Sequence, residues 1–324
     1  MIRPYKLILL ILLMFLVALP RFNWRDLPHP LNQLVGEKPF DVEQYEKYVE
    51  YFRGNKNLAD ELEGPFSYRP LVPLLASLLP FEPLTSLNLV NLLFLTLGLI
   101  YLIKLLLKLG FIEKEIIIGS VIFIISFPLF YYSTSGYIDA SLIGIMLISN
   151  YYLMTNRYNL FILSFIIGIF IKETIIILLP VSTVYYLLNE KTKIKFVKIL
   201  VPIILYFIIV EVIRNFAPQK EIYVWKPSYE ILHYNLLRIK TYITFILTLG
   251  IPGLLSFYIV ITEKRKNIPK EIFYPLLTGI LFSILLWLYS LFAAYSDGRQ
   301  LWTSYVFAVP LTSYLLANWS KRKY

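Results

Sequence analysis

Charged residues that interrupt or adjoin long apolar stretches are the part of this sequence best suited to chemistry. Only a few occur there: Asp139, the neighbouring Lys172 and Glu173, and Asp297 with Arg299. A charge close to hydrocarbon is costly, so residues of this kind are usually functional. The predicted topology brings all five to one side of a membrane. Cations there could bind phosphate, and carboxylates could accept protons.

Asp41 stands outside the apolar stretches, at the predicted start of an interfacial helix on the same side. A carboxylate at this place could act as a general base toward an acceptor hydroxyl or amine. It could equally cap the helix by accepting backbone N–H groups, and one residue can do both. Glu43 and Asp26 are weaker candidates for a catalytic carboxylate, because charges in a polar loop are commonly solvated.

Arg69 and Lys172 are cations that could hold a phosphate at this side. Arg69, between Tyr68 and Pro70, lies at the predicted membrane surface, where a guanidinium can bind phosphate through two hydrogen bonds. An interfacial anchor is the alternative role for Arg69. Lys172 could bind phosphate, with Glu173 orienting a cation or an acceptor, and a structural ion pair is the alternative. Neighbouring residues on a helix point about 100° apart, which predicts different partners for the two charges.

Asp139 and Asp297 also fit local structural roles. Asp139 opens the fourth apolar span, so helix N-capping competes with substrate binding as its role. Asp297 and Gly298 together are typical of a tight turn. Arg299, which follows them, faces the predicted mouth of the bundle and is a candidate phosphate ligand.

No metal-binding motif is visible from residue spacing. His29 and His233 lie far apart in different loops, which predicts ordinary positions on loop surfaces. The chain has no cysteine, which excludes disulfides, thiolate metal sites and a cysteine nucleophile. A divalent ion bound by Asp41 and a second carboxylate is left open, because carboxylate oxygens are ligands that such ions prefer.

The composition indicates a membrane protein rather than a soluble one. Of 324 residues, 58% are hydrophobic and only 16% are charged, which is too little polar surface for a soluble domain. The apolar runs are continuous, which favours helices over the alternating strands of a barrel. The net charge of +10 is concentrated in short segments such as 190–198, 263–270 and 320–324. This positive-inside pattern indicates topology and gives no support for nucleic-acid binding.

The apolar runs predict an all-α, polytopic bundle of about ten spans in one membrane domain, residues 1–324. The predicted spans are 7–21, 84–108, 115–132, 137–155, 158–171, 173–189, 196–215, 240–262, 271–294 and 300–318. An even number of spans places both termini in the cytoplasm. Two spans are shorter than the roughly 20 residues that a crossing needs. They flank Lys172 and Glu173, so they are expected to meet inside the protein beside a cavity.

Two external loops, 21–83 and 216–239, are predicted to form a small helical cap over the bundle. Apolar residues recur at helical spacing in 41–53, which is typical of an amphipathic helix. Asp41 would cap this helix, Gln44 would complete a capping box, and Gly54 would end it. A short apolar helix of roughly 11 residues is predicted to start near Pro70 and is too short to span the membrane.

Five short segments resemble the GT-C superfamily of integral-membrane glycosyltransferases, which use polyprenyl-phosphate-linked sugars. They are Asp41-x-x-x-Tyr45-x-x-Tyr48, Tyr68-Arg69-Pro70-Leu71-x-Pro73-Leu74, Gly136 to Ala140, Lys172-Glu173, and Asp297 to Gln300. The chain departs from the family where an adjacent acidic pair is expected and Asp41-Val42-Glu43 stands instead. The resemblance implies Asp41 as the base, with Glu43 as a further catalytic candidate. It implies that Arg69, Lys172 and Arg299 handle the lipid phosphate, with Glu173, Asp139, Tyr45 and Tyr68 as further substrate-binding residues.

The resulting hypothesis is sugar transfer from a polyprenyl-phosphate donor to a lipid, glycan or protein acceptor. The reaction is expected at the extracytoplasmic face of the plasma membrane. The bilayer, the lipid-linked donor and an acceptor of unknown identity are the predicted partners. A transporter or flippase of a lipid-linked substrate is the second hypothesis, although the sequence has no evident internal repeat. A non-catalytic relative of GT-C proteins is the third.

Overall fold

The computed structural model describes residues 3–22, 39–218, 227–262, 265, 268–294 and 296–321, and the regular elements formed by these residues are helical. In chain order the helices are α1 (Pro4–Ala18), α2 (Phe40–Phe52), α3 (Leu71–Ser77), α4 (Pro83–Lys108), α5 (Glu113–Ile124), α6 (Phe127–Tyr132), α7 (Asp139–Met154), α8 (Tyr158–Ile171), α9 (Leu178–Asn189), α10 (Ile194–Phe216), α11 (Tyr229–Leu237), α12 (Ile239–Ile261), α13 (Lys270–Ala293) and α14 (Tyr305–Lys321). Short 3₁₀ helices occupy Leu19–Arg21, Lys56–Glu61, Phe66–Tyr68, Glu173–Ile177 and Arg299–Ser304. The predicted all-α fold is therefore confirmed.

Within the described ranges, five helical segments are long and apolar enough to cross a bilayer. They are α1 extended to Arg21, α4, α10, α12 and α13. The apolar helices at Tyr158–Ile171 and Glu173–Asn189 are shorter, as the sequence predicted. Because several helices meet the length and composition that a crossing requires, the chain has the character of a multi-pass membrane protein.

The two short apolar helices are separated by an extended residue. Lys172 has φ −164° and ψ 133°, so α8 ends at Ile171 and a 3₁₀ helix begins at Glu173. The predicted break in this region is confirmed. Since the backbone is extended here, the helical spacing used to separate the two charges does not apply to them.

Two helices are interrupted where the sequence predicted continuous spans. The predicted span 115–132 is divided into α5 and α6, because the Ser126 hydroxyl accepts a hydrogen bond from the Leu129 N–H and starts a new helix. Helix α12 is broken at Gly250, with φ 53° and ψ −164°. A Cβ atom at Gly250 would lie 2.4 Å from the Tyr305 hydroxyl, so glycine suits both the backbone and the packing there.

The amphipathic helix of the first loop forms, but its predicted cap does not. Helix α2 starts at Phe40 after Pro39, and no side chain caps it. The Gln44 amide instead accepts a hydrogen bond from the Glu63 N–H at 2.9 Å. The capping-box prediction for Asp41 and Gln44 is therefore wrong. The predicted end of the helix is confirmed, since Gly54 has φ 111° directly after its last turn.

The helices α4 and α7 pack closely because glycines face each other in the contact. A Cβ at Gly98 would lie 2.7 Å from the Gly144 Cα, and a Cβ at Gly144 would lie 2.2 Å from the Phe94 carbonyl oxygen. Small residues let helix backbones approach in this way inside membranes. The contact continues to the far ends of both helices, where the hydroxyls of Tyr101 and Tyr152 are 2.6 Å apart.

Replacing Gly144 with alanine is expected to lower the thermal unfolding midpoint by several degrees, because α4 and α7 must separate to admit the methyl group. Gly168→Ala is the matched control. A Cβ at Gly168 would lie 2.8 Å from the Ile175 Cγ1 atom and 3.4 Å from the Ile145 Cγ2 atom, which are side-chain atoms rather than backbone. Thermal unfolding in detergent measures both variants, and equal losses would contradict the close packing of α4 against α7.

Candidate functional site

Seven charged side chains from distant parts of the sequence meet at one end of the bundle. They come from α2, from the segment before α3, from the start of α7, from the break between α8 and α9, and from the connection that leads to α14. We call this set the charged cluster: Asp41, Arg69, Asp139, Lys172, Glu173, Asp297 and Arg299. The structure thus brings together the residues that the sequence predicted on one side of the membrane.

Arg299 is the central cation of the charged cluster. Its guanidinium lies 2.8 Å from the carboxylate of Asp41, 2.8 Å from that of Asp297 and 3.9 Å from that of Asp139. It also stacks over the Tyr137 ring, 3.8 Å from the ring centroid. A planar guanidinium suits this place, because it can donate to several carboxylates and stack on an aromatic face at once.

The turn before α14 determines where Arg299 lies. The Asp297 carboxylate accepts hydrogen bonds from both the backbone and the side chain of Arg299, at 3.2 and 3.1 Å. Gly298 has φ 81°, a conformation that glycine adopts without strain. The Tyr132 hydroxyl donates to the Asp297 carbonyl at 2.7 Å. The predicted turn is confirmed, and Asp297 has an ion pair with Arg299 in addition.

Asp139 and Lys172 form a second connection within the charged cluster. The Lys172 ammonium lies 2.6 Å from the Asp139 carboxylate, and their side chains are 12% and 8% exposed. The N-capping role considered for Asp139 is wrong: Ile138 precedes α7, and no side chain caps the helix. Asp139 instead lies between two cations, Lys172 and Arg299, and connects them.

Glu173, Arg69 and Tyr45 form the third part of the site. The Arg69 guanidinium binds Glu173 through two nitrogens and donates to the Tyr45 hydroxyl at 2.7 Å. Burial raises the pKa of Tyr45 despite the opposing effect of Arg69, so its phenol stays neutral. The Tyr206 hydroxyl of α10 donates to the Glu173 carbonyl at 3.0 Å. Lys172 and Glu173 have different partners, as predicted. The Arg69 guanidinium is bound to Glu173 and Tyr45, which neither of the roles predicted for it, phosphate ligand or interfacial anchor, included.

The charges of the cluster are nearly balanced. Four carboxylates face three cations, so phosphate binding needs support from further cations. Two lie close by and were not singled out in the sequence. Arg21 is buried, and its guanidinium lies 3.9 Å from the Tyr131 ring centroid. Lys240 interacts electrostatically with Asp297 and Arg299. Both stand at the ends of predicted spans, where basic residues commonly serve as anchors, so their positions in the sequence do not indicate a site role.

Asp41 is the carboxylate of the charged cluster best placed to meet an acceptor. Its side chain is 23% exposed, compared with 8% for Asp139. One oxygen, Oδ2, is bound to Arg299. Asp41 can therefore accept a proton while Arg299 holds it in place.

Apart from Tyr45, which is hydrogen-bonded to Arg69, two predicted site residues lie outside the charged cluster. Glu43 forms an ion pair with Lys47 at 3.0 Å on the exposed side of α2, and its side chain is 46% exposed. Tyr68 packs against Gly64, and the Arg214 guanidinium lies 5.9 Å from its ring.

The weaker sequence candidates lie elsewhere. His233 is exposed on α11, whereas Asp26 and His29 fall outside the described residues. Within the described ranges, no three histidine or acidic side chains are grouped so that they could hold a metal ion. The divalent ion considered for Asp41 thus gains no support from its surroundings.

Comparisons with known proteins leave the family open. No family model, no curated protein and no solved structure matches the chain. The resemblance to the GT-C superfamily therefore stays a prediction that rests on short sequence segments. What the chain can do chemically has to be argued from the charged cluster itself.

Proposed function

We propose that the protein is a membrane glycosyltransferase of GT-C type. It would transfer a sugar from a polyprenyl-phosphate donor to a lipid, glycan or protein acceptor at the extracytoplasmic face of the plasma membrane. The observation that carries the proposal is the pairing of Asp41 with Arg299 at 2.8 Å. A partly exposed carboxylate beside a cation supports a role for the first in accepting a proton and for the second in binding phosphate.

The chemistry needs one base and several cations. Asp41 accepts the proton of the acceptor hydroxyl as its oxygen forms a bond to the anomeric carbon of the sugar. The bond from that carbon to the phosphate oxygen breaks, and its electron pair leaves with polyprenyl phosphate. Arg299 and Lys172, with 15% and 12% side-chain exposure, stabilise the negative charge that develops on this phosphate, and Arg21 and Lys240 are the further cations that support them. Arg69 does not contact the phosphate in this proposal but keeps Glu173 in place through their ion pair.

The topology in this proposal has ten crossings, with the charged cluster outside the cell. The shorter helices α7, α8, α9 and α14, and α5 together with α6, would add five crossings to the five long ones. The pairing of Lys6 with Glu113 at 3.2 Å places the start of α1 beside the start of α5, which fits the cytoplasmic side in this arrangement. Basic segments on that side agree with the positive-inside rule.

The test is transfer from radiolabelled polyprenyl-phosphate sugars by the purified protein in lipid nanodiscs, with acceptors drawn from lipid, glycan and peptide classes. Labelled product together with released polyprenyl phosphate would support the proposal. Absence of turnover with every donor and acceptor would count against it. Movement of the intact donor across vesicle membranes without cleavage would point to a flippase.

Arg299→Lys is expected to lower the transfer rate by roughly 30-fold, which corresponds to about 2 kcal/mol. Lysine keeps the charge, but it cannot hold Asp41 and Asp297 together through a planar fork. The measurement is the initial rate of transfer at saturating donor.

Arg53→Lys is the matched control for this replacement. Arg53 also uses several donors, toward Glu50 at 3.0 Å and the Leu79 carbonyl at 2.9 Å, but it lies outside the charged cluster. Its replacement is expected to cost stability and to leave the transfer rate unchanged. Equal transfer rates for Arg299→Lys and the native protein would remove Arg299 from the site.

A further inference from the structure

The connection from α13 to Arg299 has to be held in place for the charged cluster to form. Helix α13 ends at Ala293, and Arg299 follows six residues later. The last turn of a helix leaves carbonyl oxygens without partners inside the helix, and a buried carbonyl of this kind is costly. Whatever satisfies these carbonyls also determines the direction in which the chain leaves α13.

Helix α11 supplies the missing donors. The side-chain amide nitrogen of Asn235 donates to the carbonyls of Leu291 at 2.8 Å and Ala294 at 2.7 Å. The backbone N–H of Ser228, at the start of α11, donates to the Phe292 carbonyl at 2.9 Å. The Asn235 amide oxygen in turn accepts from the Ser296 N–H at 3.1 Å. One side chain therefore ties the last turn of α13 to the residue directly before Asp297.

Only a carboxamide fits these three partners. Two carbonyl oxygens require a group with two N–H donors, and the Ser296 N–H requires an acceptor on the same side chain. Asn235 is fully buried, so water does not replace a hydrogen bond that is lost there. Aspartate has the same shape, but one of its oxygens would replace the amide nitrogen and would face two carbonyl oxygens that also only accept hydrogen bonds.

We propose that Asn235 is a positioning residue for Arg299. It holds Ser296 against the end of α13, so that Arg299, paired with Asp297, reaches Asp41 in the geometry described above. The effect of Asn235 on sugar transfer rests on the proposed function. The positioning of Arg299 does not, because it can be measured without substrate. Helix α11 thereby becomes part of the site, although none of its side chains belongs to the charged cluster.

The test is the energetic coupling between Asp41 and Arg299, measured with and without Asn235. The thermal unfolding midpoint is determined for Asp41→Asn, Arg299→Gln and the double variant, in the native background and in Asn235→Ala. If Asn235 positions Arg299, the non-additivity of the two replacements falls by at least half in Asn235→Ala. A loss of stability alone would not change this coupling, because it would affect all four proteins of a cycle alike.

His233→Ala is the control background, since His233 is exposed on the same helix. Its coupling between Asp41 and Arg299 should equal that of the native protein. Full coupling in Asn235→Ala would overturn the proposal.

A disulfide provides a second test of the positioning role. The hydroxyls of Ser290 and Ser296 are 3.0 Å apart, and the chain has no cysteine of its own. Ser290→Cys with Ser296→Cys can therefore connect the same two segments without the Asn235 amide. In the Asn235→Ala background, the oxidised form should recover the coupling and the reduced form should lose it. Equal coupling in both redox states would overturn the proposal.

Sugar transfer provides a second, separate measurement. With the proposed function, Asn235→Ala should lower kcat by tenfold to hundredfold, on the order expected for a misplaced site group, and leave KM for the donor nearly unchanged. If the native protein transfers no sugar but the coupling depends on Asn235, the proposed function fails and the positioning role stands. If transfer occurs and the coupling does not depend on Asn235, the positioning role alone fails.

Discussion

Asp41→Asn is expected to lower the rate of sugar transfer about 1000-fold, within the range that general base catalysis contributes. The amide has the shape of the carboxylate and can still contact Arg299, but it cannot accept the acceptor proton. Since Asp41 is held at 2.8 Å from Arg299 by one oxygen, the loss should appear in kcat more than in donor binding. The measurement is transfer of radiolabelled sugar by the purified variant.

Glu43→Gln is the matched control for this replacement. Glu43 lies two residues further along α2, where it forms an ion pair with Lys47, and its replacement removes the same charge from the same helix. Its transfer rate should stay within twofold of the native rate, an estimate that treats it as a solvated surface charge. Full activity in Asp41→Asn would remove Asp41 from the mechanism. Equal losses in both variants would point to the folding of α2 rather than to a base.

The sequence predicted features that depend on local pattern. The break at Lys172 was predictable, because apolar stretches on both sides were each too short to cross and two charges stood between them. The helix over 41–53 forms within one residue of its predicted start and end, because its apolar spacing and Gly54 are both local signals. The turn at Asp297 and Gly298 was predicted from its residue types for the same reason.

Partner choice was not predictable from local pattern. Asp41 and Asp139 each occur at a helix start, where capping is the usual role of aspartate and contributes about 1 kcal/mol. In the folded chain both carboxylates instead lie beside Arg299, far away in sequence. Charge-assisted hydrogen bonds are stronger than neutral ones, so long-range pairing prevails over the local cap. Only the packing of the helices reveals which cation each carboxylate meets.

Residues that support the site without carrying charge were missed for a related reason. Asn235 falls in the predicted external loop 216–239, and its local sequence does not show that its amide meets the end of another helix. Its role depends on carbonyls at the end of α13, which have no partner within the helix because the helix stops there. The requirement for glycine at position 144 was also not predictable, because it comes from close packing against the Phe94 carbonyl of a different helix.

Arg69→Met is expected to lower the free energy of unfolding by about 3 kcal/mol, at the lower end of the range for breaking a buried ion pair. The methionine fills much of the volume of the arginine, so the loss comes mainly from Glu173, which would keep its charge without its partner. The Glu173 side chain is 31% exposed, whereas that of Arg69 is 5% exposed. Because solvent reaches the carboxylate in part, the expected loss of stability lies at the lower end of that range. Reversible unfolding in detergent measures the change.

Lys47→Met is the matched control, because it breaks the ion pairs of Lys47 with Glu43 and Glu61 on the exposed side of α2. Pairs of this kind contribute little, so the replacement should cost no more than about 1 kcal/mol. Adding Glu173→Gln to Arg69→Met should restore most of the lost stability, since no buried charge then lacks a partner. If the double variant regains stability but transfers sugar slowly, the ion pair between Arg69 and Glu173 serves the reaction by orienting the extended backbone at Lys172. If Arg69→Met costs no more than Lys47→Met, Arg69 is not tied to Glu173 in the folded protein, and its guanidinium is again a candidate for the phosphate.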